Sequence, residues 1–206
     1  MAYFTKFPIA SYNLYGSANK DIKLVSDILV RARLIPSIQD ESFVFYKYQI
    51  SDGDTPEILA SKYYDNPNRH WIILLINNIT DPVYDWPLNY SNFQAYIESK
   101  YGSIATAKTT YHHYEKVVTK TDSVTQTTTV SKYELDYDTY ASLASSSTET
   151  INLQDGNTVQ IVTTKNAVSY YDYEDEQNEN KREIKILDRR YVSQIEQELY
   201  SIVTDV

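Results

Sequence analysis

The alternation of apolar and polar residues predicts one helix and then one strand in the first fifty residues. Before residue 44, apolar side chains recur at the three- and four-residue spacing of a helical face, at Ile22, Val25, Ile28, Leu29 and Ala32. From Phe43 to Ile50 the spacing changes to two, with one face formed by Val44, Tyr46, Tyr48 and Ile50. We therefore expect an N-terminal arm, residues 1–44, that contains one helix and leads into a strand.

A turn and a short helix are expected after this strand. Gly53 can adopt the positive φ of a tight turn, and the pair Thr55-Pro56 has the residue types of a helix N-cap and a first helical position. Leu59 and Tyr63, four residues apart, are expected to share the buried face of the helix, with Ile58 alongside them.

The next predicted helix is apolar on every side. Asn66-Pro67 supplies its start signal, and the run Trp71–Ile76 contains only apolar residues. Such a helix must be covered on more than one side. The cover comes either from within the chain, by residues 1–44 or the C-terminal helix, or from a partner protein, and the pattern does not decide between these two sources.

Residues 91–180 differ in composition, because every proline precedes residue 88 and the later residues are rich in Thr, Ser, Tyr and Val. We expect a β-rich region there. On its first strand, strict alternation places His112 and His113 on opposite faces. Farther on, a three-residue hairpin loop, Gln154–Gly156, pairs Ile151 with Val159 and sets Gly156 where positive φ is favoured.

The last part of the chain predicts an acidic segment, a strand and a helix. Five carboxylates lie within residues 172–179, which indicates either a solvated linker or an acidic patch that orients a protein contact. Residues 181–206 then predict a strand, Lys181–Leu187, and a helix capped by Asp188. The apolar seam of that helix comprises Val192, Ile195, Leu199, Ile202 and Val203.

Composition argues against several classes of protein. The formal net charge is −9, whereas nucleic-acid binders neutralise phosphates with a basic face. The lack of cysteine removes thiol chemistry and zinc–sulfur sites, and no apolar run reaches the ~20 residues that span a bilayer. The 4 glycines form no phosphate-binding pattern, while the 21 tyrosines favour interface formation.

No residue set indicates catalysis or a metal site. The three histidines, at positions 70, 112 and 113, are too scattered for metal binding, so we expect structural roles. Asp52-Gly53-Asp54 resembles a calcium loop, but Tyr63 stands where the distal glutamate is needed, so turn formation is the better interpretation. The clustered carboxylates form no evident glycosidase pair. We therefore predict a protein that is not an enzyme and needs no cofactor.

Residues 50–60 (Ile-Ser-Asp-Gly-Asp-Thr-Pro-Glu-Ile-Leu-Ala) resemble the opening of a LysM module, in which a strand, a Gly-Asp-Thr turn and a Leu-Ala helix follow one another. The segments Tyr63–Pro67, His70–Asn77 and Asp81–Leu88 resemble the LysM-like baseplate wedge subunit of contractile-tailed, T4-like bacteriophages. Residues 178–186 and the terminal helix are similar to the end of that family.

The resemblance implies an α+β fold with a small LysM-like module, a β-rich insertion, and flanking N-terminal and C-terminal helices. Its parts would be the arm 1–44, the LysM-like module 45–90, the β-rich region 91–180 with its acidic end, and the strand and helix of 181–206.

The resemblance also implies a structural function in the virion, at the tail baseplate, after assembly in the host cytoplasm. The chain would join other baseplate wedge proteins, the sheath-initiating protein and neighbouring wedges by burying apolar and tyrosine surface. The residues expected at these contacts are Tyr63, Trp71, Ile72, Leu75, Tyr84 and Trp86. We expect Trp71→Ala to weaken assembly, because a few aromatic anchors dominate most interfaces.

Two other functions stay open from the sequence. A glycan-binding LysM module would engage peptidoglycan or chitin-like polymers near Gly53–Thr55 and the loop Asn77–Asp81. The segment Asp81–Pro87 argues against glycan binding, because it contains two prolines where a sugar-binding LysM has its second strand. Proline has no N–H to donate to a neighbouring strand. A wall-degrading tail enzyme is the third hypothesis.

Overall fold

The computed structural model describes residues 7–13, 22–27, 44–153 and 156–204 of the chain. Helices and strands are mixed within this described part, so the α+β class is confirmed. The chain divides into two compact units. The first unit comprises Met1–Asn89 and Glu179–Val206, and the second unit, Tyr90–Asn178, is inserted into its sequence.

The elements are numbered in chain order. The described strands are β1 (Ile9–Asn13), β2 (Ile22–Ser26), β3 (Phe45–Gln49), β4 (Tyr111–Asp122), β5 (Thr128–Leu135), β6 (Ser146–Asn152), β7 (Thr158–Ser169) and β8 (Glu183–Leu187). The described α-helices are α1 (Pro56–Tyr64), α2 (His70–Ile76), α3 (Tyr90–Tyr101), α4 (Ile104–Thr109), α5 (Tyr137–Ser142), α6 (Tyr170–Asn180) and α7 (Val192–Thr204). Short 3₁₀ helices, Pro67–Arg69 and Arg189–Tyr191, lead directly into α2 and α7. Among the residues described, no helix is both long enough and apolar enough to cross a bilayer.

The helix expected from residue 22 is wrong for residues 22–26, which form β2. This strand pairs antiparallel with β1, with Ile22 opposite Asn13 and Val25 opposite Ala10. The apolar residues of this short stretch fit a two-residue spacing as well as a helical one, and β-branched side chains favour the strand. The remaining positions of the expected helix, Ile28, Leu29 and Ala32, lie outside the described residues.

Local capping forms α1 as the sequence predicts. The Thr55 hydroxyl accepts a hydrogen bond from Ile58 N at 3.3 Å, with Pro56 at the first helical position. The buried residues follow a helical stripe: Pro56, Leu59, Ala60 and Tyr64. The expected burial of Ile58 is wrong, because a rotation of about 100° per residue turns its side chain away from this stripe into solvent.

The apolar helix α2 is covered by the chain itself. Trp71, Ile72, Ile73 and Ile76 are buried, and Leu74 and Leu75 are half-buried. The same core contains residues from α1, β8 and α7: Leu59, Tyr64, Ile184, Ile186, Leu187, Val192, Leu199 and Val203. Each fully buried aliphatic side chain contributes about 1.5–3 kcal/mol to folding. The C-terminal helix, one of the sources of cover that the sequence left open, therefore covers part of α2, and α1 and β8 cover it as well.

The expected strand at 181–187 is confirmed, and it pairs with the strand that precedes α1. β3 and β8 are antiparallel, from Phe45 opposite Leu187 to Gln49 opposite Glu183. Val44, Tyr48 and Ile50 pack against the core as expected. Phe45, on the opposite face, is also buried. Tyr46 is on the same face as Tyr48, but its side chain is exposed, and its hydroxyl donates to the Asp188 carboxylate at 2.6 Å.

The side chain of Asn77 continues this sheet beyond β8. Its amide nitrogen donates to the carbonyl oxygen of Lys185, and its amide oxygen accepts from Lys185 N, both at 2.8 Å. The amide therefore bonds to the backbone of β8 as a third strand would, at an edge that otherwise presents open groups.

The C-terminal helix α7 begins and packs mostly as predicted. Asp188 accepts a hydrogen bond from Arg190 N at 2.9 Å, which caps the 3₁₀ helix that leads into α7. Val192, Leu199 and Val203 are buried, and Ile195 is half-buried against the core. Ile202 is exposed, contrary to the expected seam, because its neighbour Val203 takes the inward position.

The second unit contains a four-stranded antiparallel sheet in the order β5-β4-β7-β6. The predicted hairpin register is confirmed, with Ile151 opposite Val159 and Glu149 opposite Ile161. Gly156 has the expected positive φ, +75°. Matching the apolar faces of the two strands was therefore sufficient to choose the register.

A bulge in β4 makes the expected placement of two histidines wrong. Tyr111 lies opposite Ser169 and His113 opposite Val168, so His112 is an extra residue in the strand. Both imidazoles consequently turn to the same side, with their Nδ1 atoms 2.8 Å apart. Among the residues described, no group of three or more acidic or histidine side chains has metal-binding geometry.

The acidic run forms the helix α6 rather than a solvated linker. Glu174 is buried and accepts hydrogen bonds from Lys100 Nζ at 2.6 Å and the Tyr101 hydroxyl at 2.7 Å. Burial acts to raise the pKa of Glu174, but these two donors outweigh it, and the pKa is lowered overall. The linker hypothesis failed because the sequence does not show that Lys100, far away in the chain, pairs with this carboxylate.

Candidate protein-interaction site

The residues predicted to bind partners lie in different surroundings within the first unit. Trp71, Ile72 and Trp86 are buried in the core. Tyr63 and Leu75 are half-buried at its margin. Tyr84 is 75% exposed. Of the six residues, Tyr84 therefore presents the most accessible aromatic surface, while the buried three contribute to the core that supports it.

Trp86 closes the turn between β3 and α1. Its indole N–H donates to the carbonyl oxygen of Asp54 at 3.0 Å. The Asp54 carboxylate also accepts from the Tyr48 hydroxyl at 2.8 Å and from Ser51 N at 2.9 Å. Because protein donors already bind this carboxylate, the Asp52-Gly53-Asp54 segment acts as a turn, as predicted.

Arg182 fixes the loop ends of the first unit. Its guanidinium donates to the carbonyl oxygens of Ile50 and Leu88, both at 3.3 Å. It also pairs with Asp52 at 3.1 Å and with Glu179 at 2.7 Å. Burial acts to lower the pKa of Arg182, but these two carboxylates raise it overall, so the side chain stays charged. The sequence did not reveal this role, since the partners are spread over more than 120 positions.

The loop that carries Tyr84 is held by its own acidic side chains. The Asp85 carboxylate accepts from Thr80 N at 3.2 Å and Asp81 N at 3.1 Å, and the Asp81 carboxylate accepts from Val83 N at 3.0 Å. Lys181 Nζ donates to the carbonyl oxygen of Tyr84 at 2.6 Å. This loop therefore has a fixed backbone while two large side chains, those of Val83 and Tyr84, point into solvent.

A cleft of about 350 Å³ lies beside this loop. It is lined mainly by polar side chains, including those of Asn78, Asp85, Asn180, Lys181 and Glu183. Together, the exposed Val83–Tyr84 pair and the polar cleft form a surface that combines an apolar anchor with hydrogen-bonding groups, the usual composition of an interface centre and rim. Val83 was missed by the sequence analysis, although the Asp81 to Asp85 spacing indicates a side-chain-bonded turn there.

Comparison with known proteins identifies the family. The chain matches the family described as base plate wedge protein 53 over residues 18–202. It is also 35% identical over 66 residues to the baseplate wedge protein gp53 of Enterobacteria phage T4. That second match covers 32% of this chain and 33% of the T4 protein, so it spans about a third of either sequence. Because the family match covers most of the chain, this protein belongs to the base plate wedge protein 53 family.

Proposed function

We propose that this protein is a structural component of a phage tail baseplate wedge, with a role in the assembled virion tail and no catalytic activity. Its family membership supports this function, as does its similarity to a baseplate wedge protein of phage T4. Its partners would be other wedge proteins, with the sheath-initiating protein and the neighbouring wedge as the first to examine. Assembly would take place in the host cytoplasm.

The first unit would act as a LysM-like module. The order β3, α1, α2 and β8, with β3 paired to β8, supports a βααβ unit whose second strand follows the inserted second unit. This arrangement modifies the proposed boundaries 45–90, because the second strand lies at Glu183–Leu187. Along the sequence, the arm would precede the module, the second unit would interrupt it, and α7 would follow it.

The observation that carries the proposal is the prearranged Tyr84 loop. Large exposed aromatic side chains on a fixed backbone lose little conformational entropy on binding, which is typical of interface anchors. Tyr84 and Val83 would enter a pocket of the partner, and the polar cleft beside them would form the rim. No feature of the first turn favours the glycan-binding alternative, because Trp86 and Arg182 already bind its backbone and side chains.

Copurification of the tagged chain with its natural neighbours tests this surface. Tyr84→Ala should reduce recovery of the partner about tenfold or more, because truncating an interface anchor costs about 2 kcal/mol or more. The melting temperature should not change, since the Tyr84 side chain is mostly exposed.

The matched control is Ile58→Ala, which removes an exposed apolar side chain from the same unit. It should leave recovery unchanged. Equal recovery of the partner by the wild type, Tyr84→Ala and Ile58→Ala would show that the loop is not the interface.

A further inference from the structure

One face of the four-stranded sheet is basic in a chain with more acids than bases. Three successive rows of side chains across the strands β5, β4, β7 and β6 define it. The first row consists of Tyr133, Lys116 and Lys165, with Ser145 next to it just before β6. The second row consists of Ser131, Val118, Thr163 and Ser147. The third row consists of Thr129, Lys120, Ile161 and Glu149. We call these rows the lysine face. None of these residues is buried.

The helix α5 packs against the sheet beside the first row of the lysine face. The preceding row contains Tyr114, whose ring packs against Tyr137 and Tyr140 of α5, with centroids 5.4 and 4.5 Å apart. Lys116 and Lys120 are four positions apart on β4, so their Cα atoms are about 13 Å apart along the strand. The face is therefore four strands wide, and its side chains are exposed or half-buried.

Two of the lysines are placed unfavourably for the isolated chain. Lys116 and Lys165 lie directly opposite each other on the central strands β4 and β7. Like charges in directly opposed positions destabilise a sheet. Lys116 Nζ lies over the Tyr133 ring at 5.3 Å, and Lys165 Nζ lies over the Tyr140 ring at 4.7 Å and donates to the Tyr140 carbonyl oxygen at 3.0 Å. These contacts hold the ammonium groups in place without neutralising them.

Three other lysines of the described chain have carboxylate partners. Lys47 pairs with Glu183, Lys100 with Glu174, and Lys132, on the opposite face of the sheet, with Glu176. Within the described residues, Lys116, Lys120 and Lys165 form no ion pair. Glu149 is the single acidic residue in the three rows, and Ile161 separates it from Lys120. The positive charge of the lysine face is thus left uncompensated by its surroundings.

We propose that the lysine face binds a carboxylate-rich surface of a different baseplate protein. Acidic side chains of that partner would neutralise Lys116, Lys120 and Lys165, while Val118, Ile161 and the Tyr133 ring would contact its apolar atoms. Charge complementarity of this kind orients partners and accelerates their association. The inference rests on the proposed structural function, but it uses residues of the second unit, so it can fail while the Tyr84 surface holds.

Carbodiimide cross-linking of intact purified tails tests the contact, because this reagent joins a lysine amine directly to a neighbouring carboxylate. Mass spectrometry should find Lys116, Lys120 or Lys165 joined to aspartate or glutamate of another tail protein. Lys108 is the internal control, since it lies in the same unit over the Tyr171 ring at 4.5 Å, and it should form no such link. Links from the three lysines only to this chain, or to a second copy of it, would overturn the proposal.

Charge removal supplies the second test. The variant Lys116→Gln/Lys120→Gln/Lys165→Gln should enter tails at least about tenfold less efficiently, since even one close charge pair at an interface contributes on the order of tenfold in affinity. Its melting temperature should stay the same or rise, because the opposed charges are removed. Lys108→Gln should assemble normally.

The remaining outcomes count against the proposal. Normal incorporation of the triple variant at both low and high salt would overturn it. The proposal would also be overturned if the wild type bound a 30-base-pair DNA duplex and the triple variant did not, because the lysines would then bind nucleic acid.

Discussion

At the scale of the residue, buried polar groups join parts of the first unit that are distant in sequence. Tyr64 is fully buried, and its hydroxyl accepts a hydrogen bond from Leu187 N at 3.1 Å. Burial raises the pKa of this phenol well above its ordinary value, so the hydroxyl is neutral at every pH at which the protein is handled. The bond connects α1 to β8, two elements separated by the whole second unit.

Tyr64→Phe should lower the free energy of unfolding by about 1–3 kcal/mol, because Leu187 N would be left buried without its acceptor. Urea denaturation measures this change. Tyr63→Phe is the matched control on the same helix, since it keeps the ring that contacts Tyr48, and it should change stability by less than about 0.5 kcal/mol. An equal effect of the two substitutions would contradict the assigned bond.

The carboxylate of Asp188 accepts hydrogen bonds from several donors. The Arg190 guanidinium and the Tyr46 hydroxyl both donate to it, at 2.7 and 2.6 Å, and it also caps the 3₁₀ helix before α7. These hydrogen bonds hold the pKa of Asp188 far below its usual range. Its charged form is therefore favoured in the folded state, and protonation favours unfolding.

The stability supplied by Asp188 should be complete above about pH 5 and decline as the pH falls below about 4, the ordinary pKa of an aspartate. Asp188→Asn removes this titration but keeps an oxygen that can cap the helix. The difference in unfolding free energy between wild type and variant should thus shrink between pH 5 and pH 2. A constant difference between wild type and Asp188→Asn over this pH range would contradict the role assigned to this carboxylate.

At the scale of the element, the sequence predicted those features that depend on residues close together in the chain, namely the helix caps and the register of one hairpin. Thr55 and Asp188 were identified as caps because the residues they bond to lie within three positions. The β6–β7 register followed from matching two apolar faces. The prediction was wrong at β2, where the apolar residues of a five-residue stretch fit the spacing of a helix as well as that of a strand. It was also wrong at His112, where one extra residue shifts the alternation of side chains between the two faces of β4. Neither error could be avoided without knowing the partner strand.

The loop at Gly156 gives a test of the hairpin. Its φ is +75°, and nothing lies within 4 Å of the position a Cβ would take, so a side chain there costs backbone strain and no clash. Gly156→Ala should destabilise the second unit by about 1–2 kcal/mol, and Gly156→Asn by less, because asparagine tolerates this conformation better. Hydrogen exchange of the β6 and β7 amides measures the effect. Equal protection in the wild type and both variants would exclude a strained φ at this position.

At the scale of the whole molecule, the pairing of β3 with β8 could not be predicted from the sequence. The residues between them are too many for a periodicity argument, and the apolar strand Glu183–Leu187 could equally have joined the sheet of the second unit. The site was predictable only in part. Tyr84, expected at a contact from the resemblance, is exposed, whereas the burial of Trp71 and Trp86 follows from long-range packing.

The first unit should fold without the second. Arg182 binds both Leu88 and Glu179, so the two chain ends that border the insertion lie close together. Replacing residues 90–178 with a short Gly-Ser linker should therefore give a protein that unfolds cooperatively, as circular dichroism during heating would show. A broad, non-cooperative transition would mean that the first unit depends on the inserted residues.

Capture of tails through a tag on this chain, followed by quantitative mass spectrometry, is the decisive test of a structural role in the baseplate. We expect a small set of other baseplate proteins at fixed ratios to this chain, with those ratios reduced by Tyr84→Ala and unchanged by Ile58→Ala. Recovery of wall glycan, with no protein at a fixed ratio, would contradict that role.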